Sequence, residues 1–424
     1  MAWAGLDVHK KEIEIAILND NGKLRLRARI PTRCEALEVF ARQHLANCRV
    51  ALEATINTWA IVEILRPLVQ EVVVSNPLRT RAIASAKIKT DKVDALVLAQ
   101  LLRSEYLPRV WAPNEETRGM RARSSERANL TADRTRLKNR IHAVLHQRLI
   151  EAPVKDLFSK AGRSWLGSLA LDEAGQRALD RHLRQLAHVE AEVELLDEEL
   201  AAHAYEHPHV RLLMSLPGVD YAVAEAVLAV LGDVRRFPDA DSAAAYFGLV
   251  PSTHQSGRHC YHGRITKQGS AHGRWMLIQA AQWAARHPGP LGVFFRRLAR
   301  KKNRNVAVVA AARKLVTIAW HMLTNNEPYR YAQPQTVEAK YSRLRVRVTG
   351  RKKKTGSKGQ KRAASYGSGV RTCAIPALDD VYAGEGLPAL GGLSPGEQNM
   401  LERHRVTGYA AAIRQRHRVQ KQSS

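Results

Sequence analysis

Cysteine is scarce in this sequence: Cys34, Cys48, Cys260 and Cys373 are the four in 424 residues, widely spaced and never set as Cys-x-x-Cys. That spacing excludes a disulfide framework and a structural zinc module of standard ligand pattern. Acidic residues are also short, 40 Asp and Glu against 67 Lys and Arg, which leaves a formal net charge of +27. Solubility requires far less. The expected partner is a polyanion, because clustered Lys and Arg release the counterions condensed on phosphates. No apolar run approaches the length of a membrane-spanning helix, and Met1-Ala2-Trp3-Ala4-Gly5-Leu6-Asp7 lacks the basic stretch and apolar core of a secretory leader. The expected location is the cytosol, with no membrane partner.

The length predicts two or three domains. Residues 3–30 read as strands: Trp3 to Val8, then Ile13, Ile15 and Ile17 alternating with polar residues, a turn at Asn19-Asp20-Asn21-Gly22, and Leu24, Leu26, Ala28 and Ile30 alternating again. Helical patterns at 35–46 and 58–68 lead to short strands at 49–53 and 71–75. Three antiparallel strands followed by strands alternating with helices predict an α/β domain with a mixed sheet over 1–112.

From Glu115 the strand signals vanish and a basic amphipathic helix runs to about Ile150, carrying Arg118, Arg121, Arg123, Arg127, Arg134, Arg136, Lys138 and Arg140. Such a helix can track a phosphate backbone. A second helix places Leu179, Leu183, Leu186, Val189, Val193, Leu196 and Leu200 at coiled-coil spacing and is acidic where the first is basic. The two can pair as an antiparallel hairpin, or the second can pair with its copy in another subunit. This coiled-coil region covers 113–208, and a mainly helical domain follows over 209–330. Beyond it, 331–424 reads as a flexible basic tail, with the run Gly350–Arg362 and a capping box at Ser394-Pro395-Gly396-Glu397 before a helix to about Arg418.

Four carboxylates stand out against the basic background. Asp7 lies in the first strand, Glu53 ends the fourth, and Asp91 and Asp94 are three apart behind Thr90, a potential helix cap. On a helix, residues i and i+3 share a face, so both can point at the strand ends. Hard oxygen ligands from several elements can hold one or two Mg²⁺ ions, which suits phosphodiester chemistry. Singly, each acid is explained as a helix-dipole or surface charge; together, in strand–strand–helix order, they read as a site.

A second constellation lies in Gly248-Leu249-Val250-Pro251-Ser252-Thr253-His254-Gln255-Ser256-Gly257, followed by Gly263-Arg264-Ile265-Thr266-Lys267-Gln268-Gly269 and Arg274. It reads as a polar loop between apolar helices, with Ser256 as an exposed nucleophile and Ser252 and Ser270 as rivals that can cap a turn or a helix. Arg264, Lys267 and Arg274 are candidate phosphate ligands, whether for general binding or for the transition state. The Pro217-Gly218 turn before a small-residue helix resembles a helix-hairpin-helix, in which backbone N–H groups at Gly218 contact a phosphate. His254, His259, Cys260 and His262 match no standard zinc spacing. Trp283 and Trp320 are expected in the core.

Gly5-Leu6-Asp7-Val8-His9-Lys10, Leu52-Glu53-Ala54-Thr55 and Lys89-Thr90-Asp91-Lys92-Val93-Asp94-Ala95 resemble the signature segments of the DEDD-type insertion-sequence transposases, relatives of the Piv invertase. Where that family more often has glycine after Glu-Ala-Thr, this chain has Ile56-Asn57. The segment 217–281 is similar to the family's C-terminal transposase domain. The resemblance covers about 1–325 and implies a RuvC-like, RNase H-type fold with Asp7, Glu53, Asp91 and Asp94 as a Mg²⁺ tetrad. It also implies Ser256 as the nucleophile of a covalent phosphoserine intermediate, DNA element ends and target as substrates, a homo-oligomer, and a structured bridge RNA that guides recombination. About 160 residues separate Asp94 from Ser256. A composite site therefore requires the intervening helices to fold back or a second subunit to donate the acids. The rival expectations are a junction endonuclease using the carboxylates alone and a catalytically silent DNA-binding protein.

Overall fold

The structure is a computed structural model that describes residues 1–83, 91–257, 259–351 and 370–422. Thr90 and most of the Gly350–Arg362 run lie outside the described residues. The chain forms two compact units, Met1–Asn114 and Glu115–Ser424.

The first unit is a five-stranded mixed sheet in the order β3-β2-β1-β4-β5, with β1 Ala2–Val8, β2 Glu12–Leu18, β3 Leu24–Pro31, β4 Cys48–Glu53 and β5 Glu71–Ser75. β1, β2 and β3 are antiparallel neighbours, while β4 runs parallel to β1 and β5 parallel to β4. This agrees with the mixed α/β expectation. The intervening helices are α1 Cys34–His44, α2 Thr58–Leu65, α3 Pro77–Ile83 and α4 Asp91–Arg103.

Alternation along the strands sorts the helices onto two faces. Ala4, Leu6, Ile13, Ile15, Val50 and Leu52 are buried with Leu37 and Phe40 of α1 and Ile61 and Leu65 of α2. On the other face Trp3, Ala51 and Val73 pack with Leu98 and Leu102 of α4. The outermost strand β3 carries charge at its exposed positions, and Arg29 pairs with Glu12 and Glu14 of β2. Charge of this kind discourages further strand addition at an edge.

Gly5 sets how closely α4 approaches. A Cβ there would lie 2.0 Å from the Ala95 carbonyl oxygen and 2.7 Å from the Ala99 nitrogen, both backbone atoms that cannot rotate away. Gly5→Ala is therefore expected to destabilise this unit by about 1–3 kcal/mol. A lowered thermal midpoint for the variant checks this, and an unchanged midpoint refutes it.

In the second unit α5 Glu115–His146 and α7 Glu173–Glu206 lie antiparallel, joined through α6 Lys160–Ser168. Their direction follows from the pairs they make: Arg127 with Asp197, Lys138 with Glu190, and Arg148 with Asp172. The two helices thus pair as a hairpin within one chain. Leu137, Ile141 and Leu145 meet Leu179 and Leu186 along the seam. Much of the positive charge of α5 is used internally, since Arg123 pairs with the fully buried Glu225 and Arg121 donates to the Ala229 carbonyl at 2.8 Å.

The remaining elements are α8 Pro208–Met214, α9 Tyr221–Leu231, α10 Ala240–Tyr246, β6 Pro251–Ser256, β7 His259–Ile265, α11 Ala271–Ala284, α12 Pro290–Lys301, α13 Arg304–Asn325, α14 Pro334–Thr349, β8 Val370–Ile375, α15 Leu378–Gly384, α16 Pro395–Arg403, α17 Thr407–Ala412 and β9 His417–Gln422. Contrary to the sequence expectation, α13 is long and apolar enough to cross a membrane by length and composition. Ala307, Ala311, Leu315, Val316 and Ala319 are nevertheless fully buried within this unit, as in a core helix.

The expected flexible tail also needs correction. Val337, Tyr341, Leu344, Leu378, Tyr382 and Leu401 belong to the same core as α9 and α13, so no compact unit is divided at residue 330. Nor does one end at 208, since Met120, Ala201 and Ala204 join that core. Lys340 Nζ donates to the carbonyls of Met214, Leu216 and Val219 at 2.8, 2.6 and 2.9 Å, tying α14 to the Pro217-Gly218 turn. The Ser394–Glu397 capping box forms as expected, but its helix ends at Arg403 rather than near Arg418.

His287 is buried in this core against the rings of Tyr329 and Tyr409. Its Nδ1 accepts from the Gly289 N–H at 3.1 Å, so Nε2 carries the proton, and that nitrogen has no partner. Burial, with Lys340 and Arg296 nearby, pushes its pKa down to about 4. The unfolded chain then binds more protons than the native one between pH 6.5 and 4. Stability present above pH 6.5 is lost as pH falls through 4, by roughly 3 kcal/mol. Denaturant melts of wild type and His287→Phe across this range should show a smaller loss in the variant; parallel losses would refute this.

Candidate active site

Asp7 and Glu53 end neighbouring parallel strands. The register pairs Leu6 with Leu52, which puts the two acids side by side at the C-terminal ends of β1 and β4. Both lie two residues beyond positions that face α4, Gly5 and Ala51, and so share that face. Helix α4 begins at Asp91, over these strand ends, and carries Asp94 one turn on. The packing of α4 on Gly5 thus brings the first-strand acid and the helical pair together. Burial raises the Asp7 carboxyl above the ordinary carboxylate range; His9 opposes the shift, and the charges of Asp94 and Asp91 add to it.

His9 carries no signal in the sequence beyond its place in the Gly-Leu-Asp-Val-His segment. Its Nε2 lies 3.0 Å from Asp7 Oδ2 and 3.4 Å from Asp91 Oδ1, so it bridges the two carboxylates. Ligand atoms of Asp7, His9 and Asp91 all lie within 4.8 Å of one another. Crowded hard oxygen donors of this kind fit a divalent cation, which would relieve the like-charge repulsion on Asp7. At Ile56-Asn57 the turn closes without glycine: the Thr55 N–H donates to Thr58 Oγ1 at 2.6 Å, and Thr55 Oγ1 to Asn57 Oδ1 at 2.8 Å.

Ser256 lies in the second unit. The expected polar loop is instead an antiparallel hairpin, with Ser256 opposite His259, Gln255 opposite Cys260 and His254 opposite Tyr261. Ser256 is the last residue of β6, exposed at the tip beside Gly257. Its rivals have structural work. Ser252 Oγ lies against Gly263, where a Cβ would come within 2.4 Å, and Ser270 caps α11 by accepting from the Gly273 N–H at 3.0 Å. His254, Ser256 and His259 share one face of the ribbon and Cys260 points to the other, which argues against a zinc set there.

The motif glycines have a packing explanation. A Cβ on Gly269 would sit 2.0 Å from the Tyr246 carbonyl oxygen, and one on Gly248 would sit 2.5 Å from that of Gln268, so the two segments cross in backbone contact. Arg274 fixes the crossing by donating to the carbonyls of Phe247 and Lys267 at 3.0 and 3.2 Å. Arg264 and Lys267 are exposed. Gly218 packs on α11, where a Cβ would lie 2.3 Å from the Ala280 carbonyl oxygen. Asp220 already caps α9 by accepting from the Val223 N–H at 2.9 Å, putting a carboxylate where a helix-hairpin-helix would hold a phosphate. Trp283 is 59% exposed rather than core, with Arg286 over its ring.

A further group missed in the sequence is Glu116, His203 and His207. His203 Nδ1 pairs with buried Glu225, while His207 Nδ1 accepts from the Val210 N–H at the start of α8. That tautomer puts the His207 proton on Nε2, toward Glu116.

Residues 4–149 match a family model described as "Transposase", and residues 210–293 match one described as "Transposase IS116/IS110/IS902 family". The chain carries both domains of the IS110/IS116 transposases. It is accordingly an enzyme of DNA recombination. The first match runs past the sheet into α5, and the second takes in the Gly218 turn, the serine hairpin and α11. The transposase is 28% identical over 335 residues to a putative transposase, y4qE, of Sinorhizobium fredii, covering 76% of this chain and 79% of that one. It is 29% identical to the transposase for insertion sequence element IS1111A of Coxiella burnetii, over 57% of this chain and 68% of the relative. A pilin gene-inverting protein of Moraxella lacunata is 27% identical over 61% of this chain and 74% of its own.

Proposed function

We propose that the transposase cuts and rejoins DNA at insertion-element ends and targets, using the acids of its first unit with Mg²⁺ and Ser256 of its second. The observation carrying this reading is the meeting of Asp7, Asp91 and His9 within 4.8 Å at the strand ends. Asp7, Glu53, Asp91 and Asp94 would hold the cation, whose chemistry there is stabilisation of charge on phosphoryl oxygens. His9, half exposed, bridges Asp7 and Asp91 and orients them.

Ser256 Oγ attacks the phosphorus, forming an Oγ–P bond as one P–O bond to a sugar breaks. That sugar oxygen takes up a proton and leaves as a hydroxyl, while the serine proton passes to a nearby base. His259, directly across the ribbon, is the nearest histidine in register. Attack by a hydroxyl of another strand reverses the step, so the phosphodiester count is conserved without ATP. Exposed Arg264 and Lys267 neutralise the phosphate. Arg274 supports them through the Lys267 carbonyl.

The excess positive charge suits nucleic-acid partners beyond the DNA itself, and a structured bridge RNA pairing with element and target is the partner proposed. A homo-oligomer would let the acids of one subunit serve the serine of another. The test is incubation of the full chain with Mg²⁺, RNA transcribed from the element's flank and labelled junction DNA, then denaturation. A protein-linked labelled strand is expected. Strand cutting with no adduct would overturn the serine step in favour of a carboxylate-only junction endonuclease, and dependence of the adduct on the RNA tests the guide.

A further inference from the structure

A cavity of about 500 Å³ opens in the second unit between α5, α7, α9 and α11, and its lining includes no member of the two constellations above. This falls within the ~300–1,000 Å³ of small-ligand sites. Its wall includes an apolar patch at Leu200 and Met276, and its lining includes Arg136, whose side chain is 68% exposed and paired with Asp133. On one side stands Trp275, 50% exposed although it belongs to a helix whose other face is core. His272 lies nearly parallel to the indole, with ring centroids 6.3 Å apart and planes at 23°. The imidazole is anchored from α5 by Ser124 Oγ, 2.9 Å from its Nε2.

We infer that this cavity receives the base of one unpaired nucleotide. A half-exposed indole backed by a second ring offers a ready stacking face, and every base has a π-face to place on it. The Ser124–His272 pair supplies polar atoms at the inner edge, and Arg136, exposed on the lining, can meet the nucleotide's phosphate. A peptide side chain would fill the apolar patch but would not use the half-exposed indole face as a stacking surface. The net charge of +27 favours a nucleic acid over a protein as the occupant. Duplex DNA cannot present a base edge-on to such a slot without unstacking it, so the site discriminates single strands and flipped nucleotides from paired ones.

The inference rests on the proposed nucleic-acid substrate but not on its chemistry, so it can be tested without cleavage. Binding of fluorescent single-stranded and duplex oligonucleotides to the full chain is measured in EDTA. Trp275→Ala is expected to weaken single-strand binding about tenfold while leaving duplex binding unchanged, the loss being that of one stacked base. Trp275→Phe, which keeps a ring, should lie within about threefold of wild type. A single strand carrying 5-iodouracil should cross-link under light to the peptide that contains Trp275. Equal losses for duplex and single strand, no loss at all, or cross-linking elsewhere would overturn the inference. Loss of the phosphoserine adduct with intact single-strand binding would instead count against the catalytic proposal alone.

Discussion

Asp7→Asn is expected to abolish strand cleavage, lowering the rate on the order of a thousandfold or more, because stabilisation of transition-state charge at such sites is worth several kcal/mol. The fold should not suffer. Asp7 is held above its ordinary carboxylate range by burial and by Asp94 and Asp91, so a neutral amide of the same shape removes repulsion from the strand ends. The discriminating measurement is thermal: Mg²⁺ should raise the melting point of wild type by linkage and leave the variant unmoved. Glu53→Gln should behave alike, since Glu53 shares the face of Asp7 on the adjacent strand. A wild-type cleavage rate in Asp7→Asn would end the tetrad proposal.

Ser256→Ala should eliminate the covalent adduct entirely and depress rejoining on the order of 10⁴-fold or more, as loss of a nucleophile does elsewhere. DNA binding should hold, since the hydroxyl sits exposed at a hairpin tip and supports no core. Ser252→Ala provides the control. Ser252 packs on Gly263 within the ribbon, so its loss should cost stability more than chemistry. An adduct that persists in Ser256→Ala and vanishes in Ser252→Ala would reverse the assignment. Cleavage intact in Ser256→Ala, with no adduct even in wild type, would leave the carboxylates acting alone.

The legible parts of this protein were those fixed by local pattern. The period-two runs of β1 to β3 and the acids at the ends of β1, β4 and the start of α4 could be read because alternation and helix starts are properties of a few consecutive residues. The serine hairpin carries no strand signal for the same reason in reverse. Thr253, His254, Gln255 and Ser256 are exposed, so burial imposes no apolar alternation and backbone pairing leaves no trace in composition. In the tail, charge hides an apolar stripe: Val337, Tyr341 and Leu344 fall at i, i+4 and i+7, yet basic residues surround them.

The sequence by itself pointed to a polyanionic partner, through its charge, and supplied the acids, serines and basic residues proposed to act on it. It also determined that the first domain would be a mixed sheet, since alternation and strand–helix order are written locally. Tertiary structure decided which of those residues remain available. It spent Ser270 and Asp220 as caps and Arg274 as a brace, brought His9 between two carboxylates, left Ser256 at an exposed tip and drew α14 into the core. The two caps are local, but the reach of His9 to Asp91 and the burial of α14 turn on distances between residues far apart in the chain. Only packing sets those, as where α4 can approach β1 as far as Gly5 alone permits.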